Sequence, residues 1–173
     1  MKKIKFFSFL TALFISACGG NAQNIQEGQK AIDFTLADKD GKTYKLYDYK
    51  GKNYVVIYFY PKASTPGCTK QACGIRDNIN KLKENNIQVF GVSVDSKESL
   101  RDFVEKYNLN YTLLSDENKE VSKKYGVLNN LGFSNRITFI ISPNMDVIKV
   151  IRNVDIENHV NDILNTVNDH KNK

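Results

Sequence analysis

Short blocks of apolar residues alternate with polar segments along this chain, and the spacing within the blocks changes from one block to the next. Residues 54–60 read YVVIYFY, which is apolar at successive positions, and residues 87–94 and 136–142 have a similar pattern. Such blocks predict strands that are covered on both faces. In two segments, 32–46 and 136–151, apolar alternation on either side of a turn sequence predicts a β-hairpin.

The segments between these strands have the residue spacing of α-helices. Apolar or small residues recur at steps of three and four over residues 68–82, 100–107 and 156–167, and a short helix is expected over 119–125. Ser96 is placed to cap the second of these helices. Strands that alternate with helices predict one α/β domain with a three-layer fold over residues 27–170. Its central mixed sheet has helices on both faces and an N-terminal β-hairpin.

The first 26 residues differ from the rest. Three lysines precede an apolar run over residues 6–17, which is too short to span a bilayer and has the two regions of a secretory signal peptide. The run ends in Ile-Ser-Ala-Cys at 15–18, which resembles the lipobox of bacterial lipoproteins. We therefore predict a signal peptide at 1–17, a lipidated Cys18 with a flexible tether at 18–26, and a membrane-anchored protein of the cell envelope. Ordinary export with cleavage near Ala17 is the alternative.

Composition limits the classes of partner. The chain has 173 residues, 41% of them hydrophobic, and a formal net charge of +6, which suits one globular domain. Removal of residues 1–17 takes away three lysines, and the remaining basic residues form no run interleaved with aromatic residues. We therefore expect no nucleic-acid partner.

Apart from Cys18, the chain has two cysteines, and the first occupies a reactive position. Cys68 follows the apolar block 54–60 and the loop sequence PKASTPG, at the predicted start of a helix. Unpaired N–H groups and the helix dipole favour a thiolate there. Cys73 lies five residues further on, so an intact helix separates the two Cα atoms by about 8.6 Å. A disulfide tolerates roughly 7 Å at most. Bonding the two cysteines therefore requires the helix to unwind, which suits a reversible redox cycle.

Three other interpretations of the cysteines are open. One is a structural disulfide in a looped segment, although the apolar stripe through Cys68 favours a helix. Zinc binding is disfavoured because the two histidines of the chain, His159 and His170, lack the spacing of zinc ligands. The third is a pair of unreactive cysteines in the core.

Residues 58–73, YFYPKASTPGCTKQAC, resemble the active-site segment of peroxiredoxins. The five-residue spacing of the cysteines is similar to that of the bacterioferritin comigratory protein or peroxiredoxin Q branch, and the resemblance covers roughly residues 27–168. It implies a thioredoxin-like fold and a thiol-dependent peroxidase for hydrogen peroxide and organic hydroperoxides, without metal, haem or flavin. It also implies a monomer that is re-reduced by a thioredoxin-like dithiol protein.

The same resemblance implies roles for five residues. Cys68 matches the peroxidatic cysteine, which becomes a sulfenic acid, and Cys73 matches the resolving cysteine, which closes a Cys68–Cys73 disulfide. Thr65 matches a threonine that bonds the thiolate and the peroxide, Pro61 a proline that shields the pocket, and Arg136 an arginine that favours the thiolate and binds the peroxide. Ordinary roles for the last three are a helix cap, a strand terminator and a surface ion pair, respectively.

The chain departs from the family pattern at Ala63-Ser64 and at Gln71, where relatives often carry acidic or amide residues and a glutamate, so the electrostatics near Cys68 differ. His159 and His170 match no family site and are predicted at the surface. Two other functions fit the same compartment. A thiol–disulfide oxidoreductase would place a second cysteine at position 71, and a non-catalytic envelope lipoprotein would keep the fold without turnover.

Overall fold

The computed structural model describes residues 25–172, which form a seven-stranded sheet with five α-helices and one 3-10 helix. The predicted signal peptide and Cys18 lie outside the described residues. In chain order the elements are β1 (Thr35–Ala37), β2 (Thr43–Lys45), the 3-10 helix (Leu46–Tyr49), β3 (Tyr54–Phe59), α1 (Pro66–Asp77), α2 (Ile79–Glu84), β4 (Ile87–Ser93), α3 (Lys97–Tyr107), β5 (Thr112–Ser115), α4 (Glu120–Lys124), β6 (Ile137–Ile141), β7 (Val147–Ile151) and α5 (His159–Lys171).

The sheet has the strand order β2-β1-β5-β4-β3-β6-β7. Strands β3, β4 and β5 are parallel, and the antiparallel hairpins β1–β2 and β6–β7 form the two edges. This arrangement confirms the predicted mixed sheet and the N-terminal hairpin. The sequence pattern did not predict β5, because its four residues are too few to show a periodicity.

The two faces of the sheet are covered unequally. Alternate residues of β3 separate into two cores, with Val56 and Tyr58 facing α1, α2, α3 and α5, and with Val55 and Ile57 facing α4, the 3-10 helix and the N-terminal segment. The connections from β3 to β4 and from β4 to β5 both move towards the same edge of the sheet. Because such connections are right-handed, their helices α1, α2 and α3 lie on the same face. The connection from β5 to β6 runs in the opposite direction and places α4 on the other face. The prediction of helices on both faces is confirmed.

The apolar stripe from Cys68 to Leu82 is confirmed, but the single helix that it indicated is divided at Asn78. This residue leaves the helical conformation with φ −113° and ψ 10°, and its side-chain amide donates to the carbonyl of Gly74 at 2.9 Å. Asparagine side chains compete with the helical backbone in this way. Helix α1 is therefore a separate helix of 12 residues that carries both Cys68 and Cys73.

The first residue that the structure describes, Ile25, is packed in the core and lies in the segment that the sequence assigned to the tether. Ile25 is buried in the second core, and its carbonyl accepts a hydrogen bond from Arg152 at 3.2 Å. Gly28 then donates to the carbonyl of Val147 at 2.8 Å. Among the helices within residues 25–172, none is long and apolar enough to cross a membrane.

Candidate active site

The register of the central strands brings Arg136 to the carboxyl end of β3. Strand β6 runs antiparallel to β3, with Phe59 opposite Ile137 and Tyr58 opposite Thr138. Arg136 directly precedes β6, and residues two positions apart project to the same face of a sheet. Arg136 and Thr138 therefore lie on the face that Tyr58 shares with α1 and α5.

The loop between β3 and α1 sets where the helix begins. Ser64 has a φ of 61°, a left-handed conformation that is uncommon for a residue with a side chain. The neighbouring Ala63 N–H donates to Oδ2 of Asp95 at 2.8 Å, which ties the loop to the end of β4. Pro66 is the first residue of α1, a position that suits the fixed φ of proline. Cys68 is consequently the third residue of the helix and lies in its first turn.

Cys68 contacts the guanidinium of Arg136. The cysteine is 3% exposed, and Arg136 Nη2 donates to its Sγ at 3.2 Å. Gly67 leaves room for this contact, because a Cβ at that position would lie 3.3 Å from Nη2. A guanidinium on the sulfur and a position in the first turn of a helix are surroundings typical of nucleophilic cysteines in proteins.

A chain of buried polar side chains continues behind Arg136. Arg136 Nη1 donates to Oε1 of Gln71, whose Nε2 lies 3.2 Å from Nδ1 of His159. His159 Nε2 in turn lies 2.9 Å from Oγ1 of Thr138. The prediction of a surface histidine at 159 is wrong, since His159 is 1% exposed. His170 is half-buried, with Nδ1 lying 3.0 Å from the hydroxyl of Tyr54.

Burial changes the protonation of His159. Desolvation first, and then repulsion from the Arg136 charge, lower the pKa of His159 from 6.5 to about 4. The imidazole is therefore neutral at neutral pH. Sequence pattern missed this residue because its neighbours Glu157 and Asn158 are exposed, and its burial depends on where α5 packs.

Two of the other predicted site residues lie in the loop before Cys68. Thr65 occupies the N-cap position of α1, but its hydroxyl donates to the carbonyl of Lys62 at 3.0 Å and does not cap the helix. Its proton is thus engaged away from the sulfur in this conformation. Pro61 is half-buried at the beginning of the loop, two residues beyond β3.

Cys73 is a half-buried free thiol on the same helix as Cys68, which is also a free thiol. Helical geometry gives a Cα separation of about 8.6 Å for residues five apart. The structure thus brings Cys68 together with Arg136 and keeps Cys73 too far away for a disulfide.

A pair of tyrosines connects α1 to the sheet beneath it. The hydroxyls of Tyr58 and Tyr111 lie 2.7 Å apart, and Tyr111 donates to the carbonyl of Ala72 at 3.3 Å. Burial first, and then the nearby Tyr111 and Cys68, raise the pKa of Tyr58 well above its ordinary value, so its hydroxyl keeps its proton. Gly91 makes space for this ring, because a Cβ there would lie 2.5 Å from the Tyr58 hydroxyl. Sequence reasoning did not single out these residues.

Among residues 25–172, no group of three or more His, Cys, Asp or Glu side chains is placed to hold a metal ion. The reactive groups of the site are a cysteine sulfur, a helix N-terminus and a guanidinium. On a thioredoxin-like sheet with a free dithiol, these features define a thiol-based redox enzyme.

Comparison with known proteins gives the family. The model of the AhpC/TSA family matches residues 27–150. Peroxiredoxin Bcp of Escherichia coli (strain K12) is 40% identical over 153 residues, which cover 84% of this chain and 97% of the relative. Chloroplastic peroxiredoxin Q of Suaeda salsa is 42% identical over 144 residues, which cover 81% and 66% of the two chains.

Solved structures agree. Peroxidoxin BcpB from Mycobacterium tuberculosis superposes with a TM-score of 0.78 at 33% identity, covering 83% of this chain and 97% of the other. A cysteine-to-serine variant of PrxQ from Xylella fastidiosa gives 0.80 at 25% identity, with 86% and 99% coverage. The chain belongs to the AhpC/TSA family and, within it, to the peroxiredoxins, which are thiol-dependent peroxidases.

The depressed pKa of His159 predicts a pH dependence of stability. The unfolded chain takes up a proton at this histidine near pH 6.5 and the folded chain only near pH 4. The free energy of unfolding therefore falls as the pH falls from 6.5 towards 4, by up to about 3 kcal/mol. Urea unfolding of the wild type and of His159→Asn at about pH 7 and pH 4.5 measures this contribution. The variant should lose it while keeping the acid dependence of the carboxylates, and equal slopes would contradict the assignment.

Proposed function

We propose that Cys68 is the peroxidatic cysteine of this peroxidase and that Arg136 stabilises both its thiolate and the reacting peroxide. The observation that carries the proposal is the 3.2 Å contact between Arg136 Nη2 and Cys68 Sγ in the first turn of α1. The thiol–disulfide oxidoreductase is less well supported, because position 71 holds a glutamine that is bonded to Arg136.

In the first step the Cys68 sulfur attacks the terminal oxygen of hydrogen peroxide or an organic hydroperoxide. An S–O bond forms as the O–O bond breaks, and the leaving oxygen takes up a proton and departs as water or alcohol. The sulfur loses two electrons and becomes a sulfenic acid. The guanidinium favours this step because negative charge moves from the sulfur to the leaving oxygen within its reach. Thr65 would take part by turning its hydroxyl from the Lys62 carbonyl towards the sulfur, and Pro61 would shield the pocket, as the family resemblance implies.

In the second step Cys73 attacks the sulfenic sulfur, an S–S bond forms and water leaves. The separation of the two cysteines requires at least the first turns of α1 to unwind. Unwinding breaks three groups of contacts: Arg136 with Cys68 and Gln71, Gln71 with His159, and Tyr111 with the carbonyl of Ala72. A 12-residue helix bounded by Pro66 and Asn78 can open locally while the sheet stays folded.

The reductant and the location of the enzyme are proposed on separate grounds. A thioredoxin-like dithiol protein would reduce the disulfide, and its own two thiols would become a disulfide. The lipobox at 15–18 supports export and attachment to a membrane of the cell envelope through Cys18. Resemblance to this branch favours a monomer.

Two serine variants test the cycle in the full-length protein. Cys68→Ser should lose peroxide reduction, because a serine hydroxyl is not ionised at neutral pH. Cys73→Ser should keep the first oxidation of Cys68, fail to form the intramolecular disulfide, and proceed to sulfinic acid with excess peroxide. Mass analysis of the quenched reaction distinguishes these products. An intramolecular disulfide in oxidised Cys73→Ser, or rapid peroxide reduction by Cys68→Ser, would contradict the assigned roles.

Stabilising α1 should slow disulfide formation. Gly74 lies inside α1 next to Cys73, and a Cβ there would meet nothing within 4 Å. Gly74→Ala should stabilise the helix by about 1 kcal/mol and slow closure of the disulfide about fivefold, without slowing the first oxidation. The matched control is Asn165→Ala, at an exposed position of α5, which stabilises a helix that stays folded. Single-turnover mass analysis gives both rates, and equal closure rates in all three proteins would exclude unwinding as the slow step.

The lipid anchor has its own test. Cells that express the full-length chain with labelled palmitate should label the wild-type protein and sediment it with membranes. Cys18→Ser should lose both the label and the membrane association, because the thiol that carries the lipid is absent. Wild-type protein that takes up no label would exclude lipidation and leave ordinary export as the alternative, and label that persists in Cys18→Ser would place the lipid at another residue.

A further inference from the structure

Four polar side chains behind the reactive sulfur form one continuous hydrogen-bond chain. It runs from Arg136 through Gln71 and His159 to Thr138, and it joins the start of β6, helix α1 and the first residue of α5. Gln71 and His159 are each 1% exposed, and Thr138 is fully buried. These buried groups bond directly to one another, so the direction of each hydrogen bond matters.

Arg136 fixes the direction of every bond in the chain. A guanidinium has donors and no acceptor, so Gln71 must turn its carbonyl oxygen towards Arg136. The amide NH2 of Gln71 then faces His159, whose Nδ1 must be unprotonated to accept from it. The single proton of the neutral imidazole is consequently on Nε2, from which it is donated to Oγ1 of Thr138.

The surroundings of His159 keep it in this one form. The ring of Tyr58 packs against it with a centroid distance of 6.2 Å in a T-shaped arrangement, and the charge of Arg136 adds to burial in lowering the pKa of His159. An imidazolium would carry a proton on Nδ1, would meet the Gln71 amide donor to donor, and would turn the amide away from Arg136. Burial opposes that protonation.

We infer that Gln71 and His159 are positioning residues that hold the guanidinium of Arg136 on the Cys68 sulfur through a neutral hydrogen-bond chain anchored at Thr138. The inference rests on the proposed roles of Cys68 and Arg136. By accepting from the NH2 end of the Gln71 amide, His159 stabilises the orientation that Arg136 requires. The amide oxygen then fixes where Nη1 lies, so that Nη2 is directed at Sγ. Since neither residue touches the sulfur, both act through Arg136.

The variants that test this inference change the hydrogen-bond acceptor that residue 159 presents at the position of Nδ1. His159→Leu removes it, whereas His159→Asn presents a side-chain oxygen near the same position and keeps the amide of Gln71 oriented. His170→Leu is a matched control, because His170 lies on the same helix, accepts or donates at a tyrosine hydroxyl, and has no contact with the site. The second-order rate constant of the reduced full-length protein with hydrogen peroxide is the readout. The chain has no tryptophan, so competition with a haem peroxidase measures it.

We expect His159→Leu to lower this rate constant about tenfold or more, as loss of positioning does, and His159→Asn to stay within about threefold of the wild type. His170→Leu should leave it unchanged. The decisive comparison is made in the Arg136→Met background, where His159→Leu should change the rate by less than about twofold, because it has no guanidinium left to position. An equal loss in both backgrounds would assign His159 a merely structural role and overturn the inference.

A second variant tests the inference if His159→Leu does not fold. In Gln71→Met the side chain has a similar shape but no amide, so the rate constant should fall as it does in His159→Leu. This loss should disappear in the Arg136→Met background. An unchanged rate in Gln71→Met would overturn the inference while leaving the peroxidase intact. A slow reaction of the wild-type protein itself would instead overturn the proposed role of Cys68.

Discussion

The contact between the Arg136 guanidinium and the Cys68 sulfur is the constraint on which the arrangement of this site depends. A half-buried group that can only donate needs acceptors on every side that is closed to water. The sulfur is one acceptor and the Gln71 amide oxygen is another, and both belong to the first turns of α1. The antiparallel register of β3 and β6 brings the arginine to this point, and Gly67 leaves the space through which it reaches the sulfur.

Because both cysteines lie on α1, the conformation that brings the Cys68 sulfur to Arg136 is also the one that keeps Cys73 too far away for a disulfide. The proposed cycle therefore requires α1 to be stable enough to present the sulfur to Arg136 and weak enough to open afterwards. In that cycle the chemistry itself favours opening. A sulfenic acid carries no negative charge and accepts more weakly from a guanidinium than a thiolate does, so oxidation weakens the contact that holds the first turn.

The spacing of apolar residues predicted those strands and helices that are long enough to show a period. The sequence shows the apolar runs of β3, β4 and β6 and the stripe through Cys68. It also shows the cap at Ser96, whose side chain accepts from the Ser99 N–H at 3.3 Å. The short β5 and the break at Asn78 were missed because a four-residue strand shows no period and an asparagine can equally continue a helix. His159 was placed wrongly because its burial depends on Thr138 and Gln71, which are 21 and 88 residues away in sequence.

The glutamine at position 71, where the family resemblance leads one to expect a glutamate, and the burial of His159 have one explanation. A glutamate at 71 would pair its negative charge with Arg136 and reduce the positive potential that remains for the sulfur. A glutamine binds the guanidinium without opposing its charge, but its amide has to present the oxygen to Arg136 and needs an acceptor for its NH2 group on the buried side. A neutral imidazole with its proton on the far nitrogen is such an acceptor. In the inferred arrangement the buried histidine thus lets a neutral residue orient Arg136 and leaves the charge of Arg136 to the sulfur.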